Sequence, residues 1–167
     1  WRENRINAIH EGTNGIQAMD LLGRKLLGDG GKAFGLLSKR VEATLAAARA
    51  DAALAPLAET LATRWAALGP AVVKAGKVAA ADLELALANA YLLLDAMGHA
   101  VVAWLWLDQA LAARQALAAD DVRRAMLEGK LAAARYFIDW ELPTKDAVLA
   151  RFASLDPLCR DLDPAVL

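Results

Sequence analysis

A glycine-rich stretch in this chain has residue types that could cradle a phosphate group. It reads Gly28-Asp29-Gly30-Gly31-Lys32, and phosphate-binding loops also combine glycines with a lysine. Such a loop follows a strand and keeps a fixed spacing from glycine to lysine, and this sequence offers neither. Repeated glycine instead supplies the positive φ angles that end a helix. We therefore interpret the stretch as a hinge between helices.

A histidine close to two tryptophans could ligate a metal ion or a haem inside a helical bundle. His99 precedes Trp104 and Trp106, but the chain has only two histidines and no Glu-x-x-His pair of the kind that bundles use for metals. We interpret His99 as a core or boundary residue and predict no metal site. The tryptophans are interpreted as core or interface anchors, since each buries a large area with one donor to satisfy.

The most specific motif surrounds a glutamate near the N-terminus. By itself, Glu11-Gly12-Thr13 indicates a junction between two helices, with Thr13 or Asn14 as the N-cap of the second. Residues 9–17, IHEGTNGIQ, resemble the IYEGTNGIQ signature of the acyl-CoA dehydrogenases. The continuation resembles the DLxGRKL pattern of a bacterial subgroup related to methylthiopropionyl-CoA dehydrogenases, which has an additional helical C-terminal domain, at Asp20, Leu21, Gly23, Arg24 and Lys25. Further similarity extends over nearly the whole chain, at residues 90–92, 98–99, 103–104, 129–131, 134–137 and 142–143.

This resemblance implies α,β-dehydrogenation of an acyl-CoA thioester by an FAD enzyme that passes its electrons to an electron-transfer flavoprotein. Glu11 matches the catalytic base that removes the α-proton. Thr13 matches a position that faces the flavin, and Gly12 and Gly15 would allow its close approach. The family usually has tyrosine where this chain has His10, a substitution expected to change the shape and charge of the substrate pocket.

Composition limits the other functions. The 167 residues are 57% hydrophobic and 23% charged, with a net charge of -1, which indicates one compact domain without the basic face that nucleic acid requires. The longest apolar run, Ala100 to Leu107, is far shorter than the ~20 residues of a membrane span. The single cysteine, Cys159, forms no intrachain disulfide, so we predict a cytoplasmic protein.

The elements that position these residues are predicted to be helices only, because alanine is frequent and β-branched residues are few. The first two helices, 1–9 and 13–27, are expected to end an acyl-CoA dehydrogenase helical domain (1–29), with Ile16, Met19, Leu22 and Leu26 on one helical face. Residues 30–167 are expected to form an antiparallel bundle of about four long helices. Its helices are predicted at 32–50, from Pro56 to a break or kink at Gly69-Pro70, at 81–117, from Asp120 or Asp121 to Pro143, and at 145–154, before an irregular tail.

Three hypotheses remain for the function of the chain itself. Because the sequence begins at Trp1 inside an uncapped helical pattern, we expect a fragment. In the first hypothesis it is the C-terminal part of the dehydrogenase, inactive and colourless alone, and the parent is a homo-oligomer. In the alternative it is a helical interaction or oligomerisation module, and an unrelated adaptor is a third reading.

Overall fold

A computed structural model describes residues 12–118 and 122–166. Within these ranges the chain is helical and has no strand, so the predicted all-α class is confirmed. The α-helices are α1 (Asn14–Met19), α2 (Lys32–Arg49), α3 (Ala55–Ala79), α4 (Leu83–Ala88), α5 (Ala90–Ala118), α6 (Arg124–Tyr136), α7 (Asp146–Ser154) and α8 (Leu158–Asp161). π-Helical segments span Asp20–Leu27 and Phe137–Glu141, and 3-10 turns span Leu142–Lys145 and Pro164–Val166. The predicted helix at 1–9, His10, Glu11 and the predicted caps Asp120 and Asp121 lie outside the described residues.

The long helices pack in antiparallel pairs. In the α2–α3 pair, Arg49 near the end of α2 binds Glu59 near the start of α3 at 2.7 Å, while Phe34 stacks on Trp65 further along. In the α5–α6 pair, Lys130 donates to the side chain of Gln109 at 2.8 Å, and His99 stacks on Phe137. α7 lies across α3 and α5. The arrangement agrees with the predicted bundle.

α5 is the central helix of the bundle. It packs against α1, α2, α3, α6 and α7, and nine of its residues are buried, most of them alanines. Small side chains let neighbouring helices approach closely, and larger residues such as Leu93 and Leu107 fill the spaces between them. By length and composition α5 is also apolar enough to cross a membrane, but a core helix has the same character.

Of the break or kink predicted at Gly69-Pro70, the break is wrong, because α3 continues to Ala79. Proline removes one backbone donor from a helix, and the carbonyl left without that donor belongs to Ala66, whose residue is exposed. Residues on both sides of the proline are buried in the same core, among them Leu68 and Val72. Packing therefore holds the helix together across Pro70.

The single helix predicted at 81–117 is also wrong in part, because it is divided at Asn89 into α4 and α5. The backbone of Asn89 leaves helical geometry, with φ −110 and ψ 16. Its buried side chain donates from Nδ2 to the carbonyl oxygen of Asp156 at 2.8 Å. This long-range hydrogen bond links the break to the C-terminal tail. The tail itself is not wholly irregular, since it contains α8, whose Arg160 binds Asp82 and Asp161.

Candidate functional site

The described part of the motif that resembles the acyl-CoA dehydrogenase signature is a turn that leads into α1. Gly12 has a φ of +101, a conformation that glycine adopts without steric cost. Thr13 is the N-cap residue, as predicted, and its carbonyl oxygen accepts from Gln17 N at 3.0 Å. Its hydroxyl makes no capping hydrogen bond to the helix. The N–H groups of α1 therefore leave the threonine hydroxyl unused.

The turn is open on its outer side. Residues 12–17 are all exposed. A methyl group added at Gly12 or at Gly15 would meet no atom of the described residues within 4 Å. Packing within the described part of the chain therefore requires neither glycine, and at Gly12 it is the positive φ that favours this residue.

The segment behind the turn is fixed to the bundle. Ala18, Leu22 and Leu26 are buried in the same core as α2, α3 and α5. These positions are four residues apart, a spacing that places them on one face of a helix. Of the apolar residues predicted on one helical face, Leu22 and Leu26 are buried, whereas Ile16 and Met19 are 64% and 46% exposed. The division into domains at residue 29 stays a prediction.

Charged groups stabilise the exposed side of the π-helical segment. Arg24 binds both carboxylate oxygens of Asp20, at 2.5 and 2.9 Å, and Lys25 lies 3.2 Å from the same carboxylate. The hydrogen bond from Arg24 lowers the pKa of Asp20 below its ordinary value. Asp20 is therefore held ionised and paired, which makes it a structural group rather than a proton carrier.

A tight glycine turn ends the segment at the predicted hinge. Gly30 and Gly31 have φ angles of +67 and +82, and a side chain at Gly28 would place its Cβ 2.5 Å from the carbonyl oxygen of Arg24. The carboxylate of Asp29 accepts from Gly31 N and Ala33 N, at 2.9 and 2.8 Å. Asp29 is a capping residue that the sequence analysis missed, although Asp before a helix is a known signal.

His99 lies at the boundary of the bundle. Its Nδ1 is 2.8 Å from the carbonyl oxygen of Asp95 and 3.1 Å from that residue's carboxylate, which Lys145 also contacts at 3.0 Å. The ring stacks on Phe137. No group of three or more His, Cys, Asp or Glu side chains suited to a metal is present in the described ranges.

Two comparisons identify the family. Residues 37–163 match the family described as acetyl-CoA dehydrogenase C-terminal like. The chain belongs to this family. It is also 34% identical, over 138 residues, to a protein named 3-methylmercaptopropionyl-CoA dehydrogenase from Ruegeria pomeroyi. That similarity covers 82% of this chain and 23% of the relative.

Family membership confirms the resemblance to the C-terminal part of an acyl-CoA dehydrogenase. The matched region begins within α2 and ends in the C-terminal tail, so it covers the helical bundle. The bundle is therefore the acetyl-CoA dehydrogenase C-terminal-like region of this chain, and the motif turn at residues 12–15 lies on its N-terminal side. Of the predicted site residues, the structure describes Gly12, Thr13 and Gly15.

Proposed function

We propose that this chain serves in an FAD-dependent acyl-CoA dehydrogenase that introduces a double bond between the α and β carbons of an acyl-CoA thioester. The observation that carries the proposal is the family match over 37–163, supported by the similarity to a named acyl-CoA dehydrogenase. The chain spans 23% of that relative. The activity proposed here therefore concerns the whole enzyme to which the chain contributes.

In this proposal Glu11 is the catalytic base. The α-proton of a thioester is weakly acidic, so a carboxylate must lie close to it in a water-poor site that raises the carboxyl pKa. Glu11 would take this proton onto a carboxylate oxygen. It precedes Gly12, whose positive φ turns the chain sharply before α1. His10 would line the substrate pocket on the other side of the base.

Gly12, Thr13 and Gly15 would contact the flavin. Their fit is supported by the open space over both glycines and by the threonine hydroxyl that no helix N–H uses. The anchored residues Leu22 and Leu26 would hold the turn in place against the bundle. When bound, FAD supplies the acceptor for the hydride that leaves the β-carbon.

The partners belong to the same proposal. An electron-transfer flavoprotein would receive the electrons, and the enzyme would be a cytoplasmic homo-oligomer. The exposure of Ile16 and Met19 favours association at this end of the chain, because apolar side chains of that size gain stability when another surface covers them. The same observation favours the second candidate function, a helical interaction module without chemistry of its own.

The decisive experiment replaces Glu11 with glutamine in the complete gene product, purified with its flavin. We expect flavin and acyl-CoA still to bind, because glutamine keeps the size of the side chain. Flavin reduction should slow by roughly 10²- to 10⁴-fold, which is the usual contribution of a general base. The measurement is anaerobic bleaching of the flavin in a stopped-flow instrument, with Glu84→Gln, an exposed glutamate on α4, as the matched control.

His10→Tyr separates the two neighbouring candidates for the base. It introduces the residue usual in the family and should leave flavin reduction largely intact. Normal bleaching in Glu11→Gln together with loss in His10→Tyr would assign the base to His10. A gene product that binds no flavin would instead support the interaction module.

A further inference from the structure

A trough of about 510 Å³ lies on the surface between α3 and α7. Its walls are mainly small and apolar, and they come from Ala67, Pro70 and Ala71 of α3 and from Leu149, Ala150 and Ala153 of α7. We call this feature the α3–α7 trough. Its volume falls in the range of about 300–1,000 Å³ that is usual for small-molecule sites, and such sites combine apolar walls with a few polar groups.

Polar contacts between the two helices close the trough at both ends. At one end Arg64 Nη2 binds Asp146 Oδ2 at 2.9 Å. At the other end Lys74 Nζ donates to the carbonyl oxygen of Ala153 at 2.6 Å. The stretch of α3 between these two contacts is roughly 15 Å long at 1.5 Å per residue. A docked helix would have to cross both contacts, whereas a short flexible molecule fits between them.

The two ends differ in charge. Arg64 is paired with the carboxylate of Asp146, while Lys74 forms no ion pair with any carboxylate of the described residues. An ammonium group has three N–H donors, and the carbonyl of Ala153 accepts only one of them. Two donors of Lys74 therefore remain for an anion. The trough carries a positive end although the whole chain has a net charge of -1.

We propose that the α3–α7 trough binds a medium-chain alkyl carboxylate. The alkyl chain lies on the alanines, and the carboxylate accepts hydrogen bonds from Lys74. Apolar walls remove the alkyl chain from water, and a charge-assisted hydrogen bond to Lys74 fixes the polar end. The argument uses none of residues 10–15, so it does not depend on the proposed function.

The test titrates the chain with octanoate, below the concentration at which it forms micelles, and follows backbone amide signals by NMR. We expect saturable shifts along Ala67–Lys74 and Leu149–Ala153. 1-Octanol has the same alkyl chain without the charge, and it should bind roughly tenfold more weakly, since a hydrogen bond to a charged group is worth about that factor. Lys74→Met keeps the apolar stem of the side chain and should weaken the binding of octanoate to a similar extent.

Two further variants complete the test. Lys77→Met removes another exposed lysine of α3 that does not line the trough, and it should leave binding unchanged. Ala150→Phe fills the trough from an exposed position and should abolish binding. Absence of saturable shifts, equal weakening in both lysine variants, or retained binding in Ala150→Phe would each overturn the proposal. So would an unaltered chain that binds no octanoate and whose oligomeric mass falls in Ala150→Phe, since a second copy of the chain would then occupy the trough.

Discussion

Two indole N–H groups fix α2 against its neighbours. Trp104 of α5 donates to Thr44 Oγ1 at 2.9 Å, and Trp65 of α3 donates to Ser38 Oγ at 3.2 Å. Thr44 is buried and Trp104 half-buried, so the first of these bonds is partly shielded from water. A buried donor without an acceptor costs more than an average hydrogen bond contributes. The pairing of Thr44 with Trp104 therefore specifies how α2 and α5 align.

At this scale we predict that Thr44→Val destabilises the fold by about 1–3 kcal/mol, because valine keeps the shape and leaves the Trp104 donor unpaired. The matched control is Thr63→Val. Thr63 is exposed and donates only to the Glu59 carbonyl of its own helix, at 3.0 Å, so its change should stay within about 0.5 kcal/mol. Urea unfolding measures both. Equal effects of the two substitutions would contradict the role given to the tryptophan bond.

Among the elements, α3 contains two prolines in different settings. Pro56 lies in the first turn, where no intrahelical bond needs its missing N–H. Pro70 lies in the interior of the same helix, where proline normally costs ~3 kcal/mol. α3 nevertheless runs on for two further turns beyond it, because Ala71, Val72 and Ala75 are buried.

We therefore predict that Pro70→Ala stabilises the protein by about 1–2 kcal/mol. Alanine removes the cost of an interior proline from the helix, and the greater flexibility of the unfolded chain offsets part of this gain. Pro56→Ala should be neutral or slightly destabilising. It makes the unfolded chain more flexible, and in the first turn of the helix the new N–H has no intrahelical acceptor to bind. Thermal unfolding of the two variants compares them within one helix. A destabilised Pro70→Ala protein would show that the proline packs favourably at its site.

For the whole molecule, the question is whether residues 12–27 and the bundle unfold as one unit. Leu22 is fully buried in the common core, and Ile16, six residues earlier, is 64% exposed. Four of the five tryptophans lie at positions 65, 104, 106 and 140, all beyond the glycine turn. Tryptophan fluorescence of a Trp1→Phe variant therefore reports on the bundle and not on α1.

We predict that Leu22→Ala lowers the stability measured by tryptophan fluorescence by about 2–5 kcal/mol, as expected for a buried leucine. Ile16→Ala should change it by less than about 0.5 kcal/mol. The transition should stay single in both variants, because the segment and the bundle share one core. If Leu22→Ala leaves the tryptophan transition unchanged, the bundle is an independent domain, and the division predicted at residue 29 is supported.

The sequence alone determined the family, the all-α class and most helix positions. A specific string at residues 9–17 carried the resemblance, and family membership over 37–163 confirms it. The spacing of Phe34, Leu37, Val41 and Leu45 predicted a helix over 32–50, which is observed as α2 (Lys32–Arg49), and the glycines predicted the turn before it. These features are local, since propensity and glycine conformation act within a few residues.

Tertiary structure decided the features that depend on distant contacts. Buried residues on both sides of Pro70 carry α3 through the proline, and a hydrogen bond from Asn89 to Asp156 stabilises a helix break that no local signal marks. Leu22 is buried where the π-helical segment packs on α2, α3 and α5, whereas Ile16 of α1 is exposed. The α3–α7 trough likewise joins Lys74 to Ala153, which are far apart in sequence. In each of these features the packing of distant residues overrides or supplements the local preference of the chain. Those contacts form only when the chain folds, so the local sequence pattern does not reveal them.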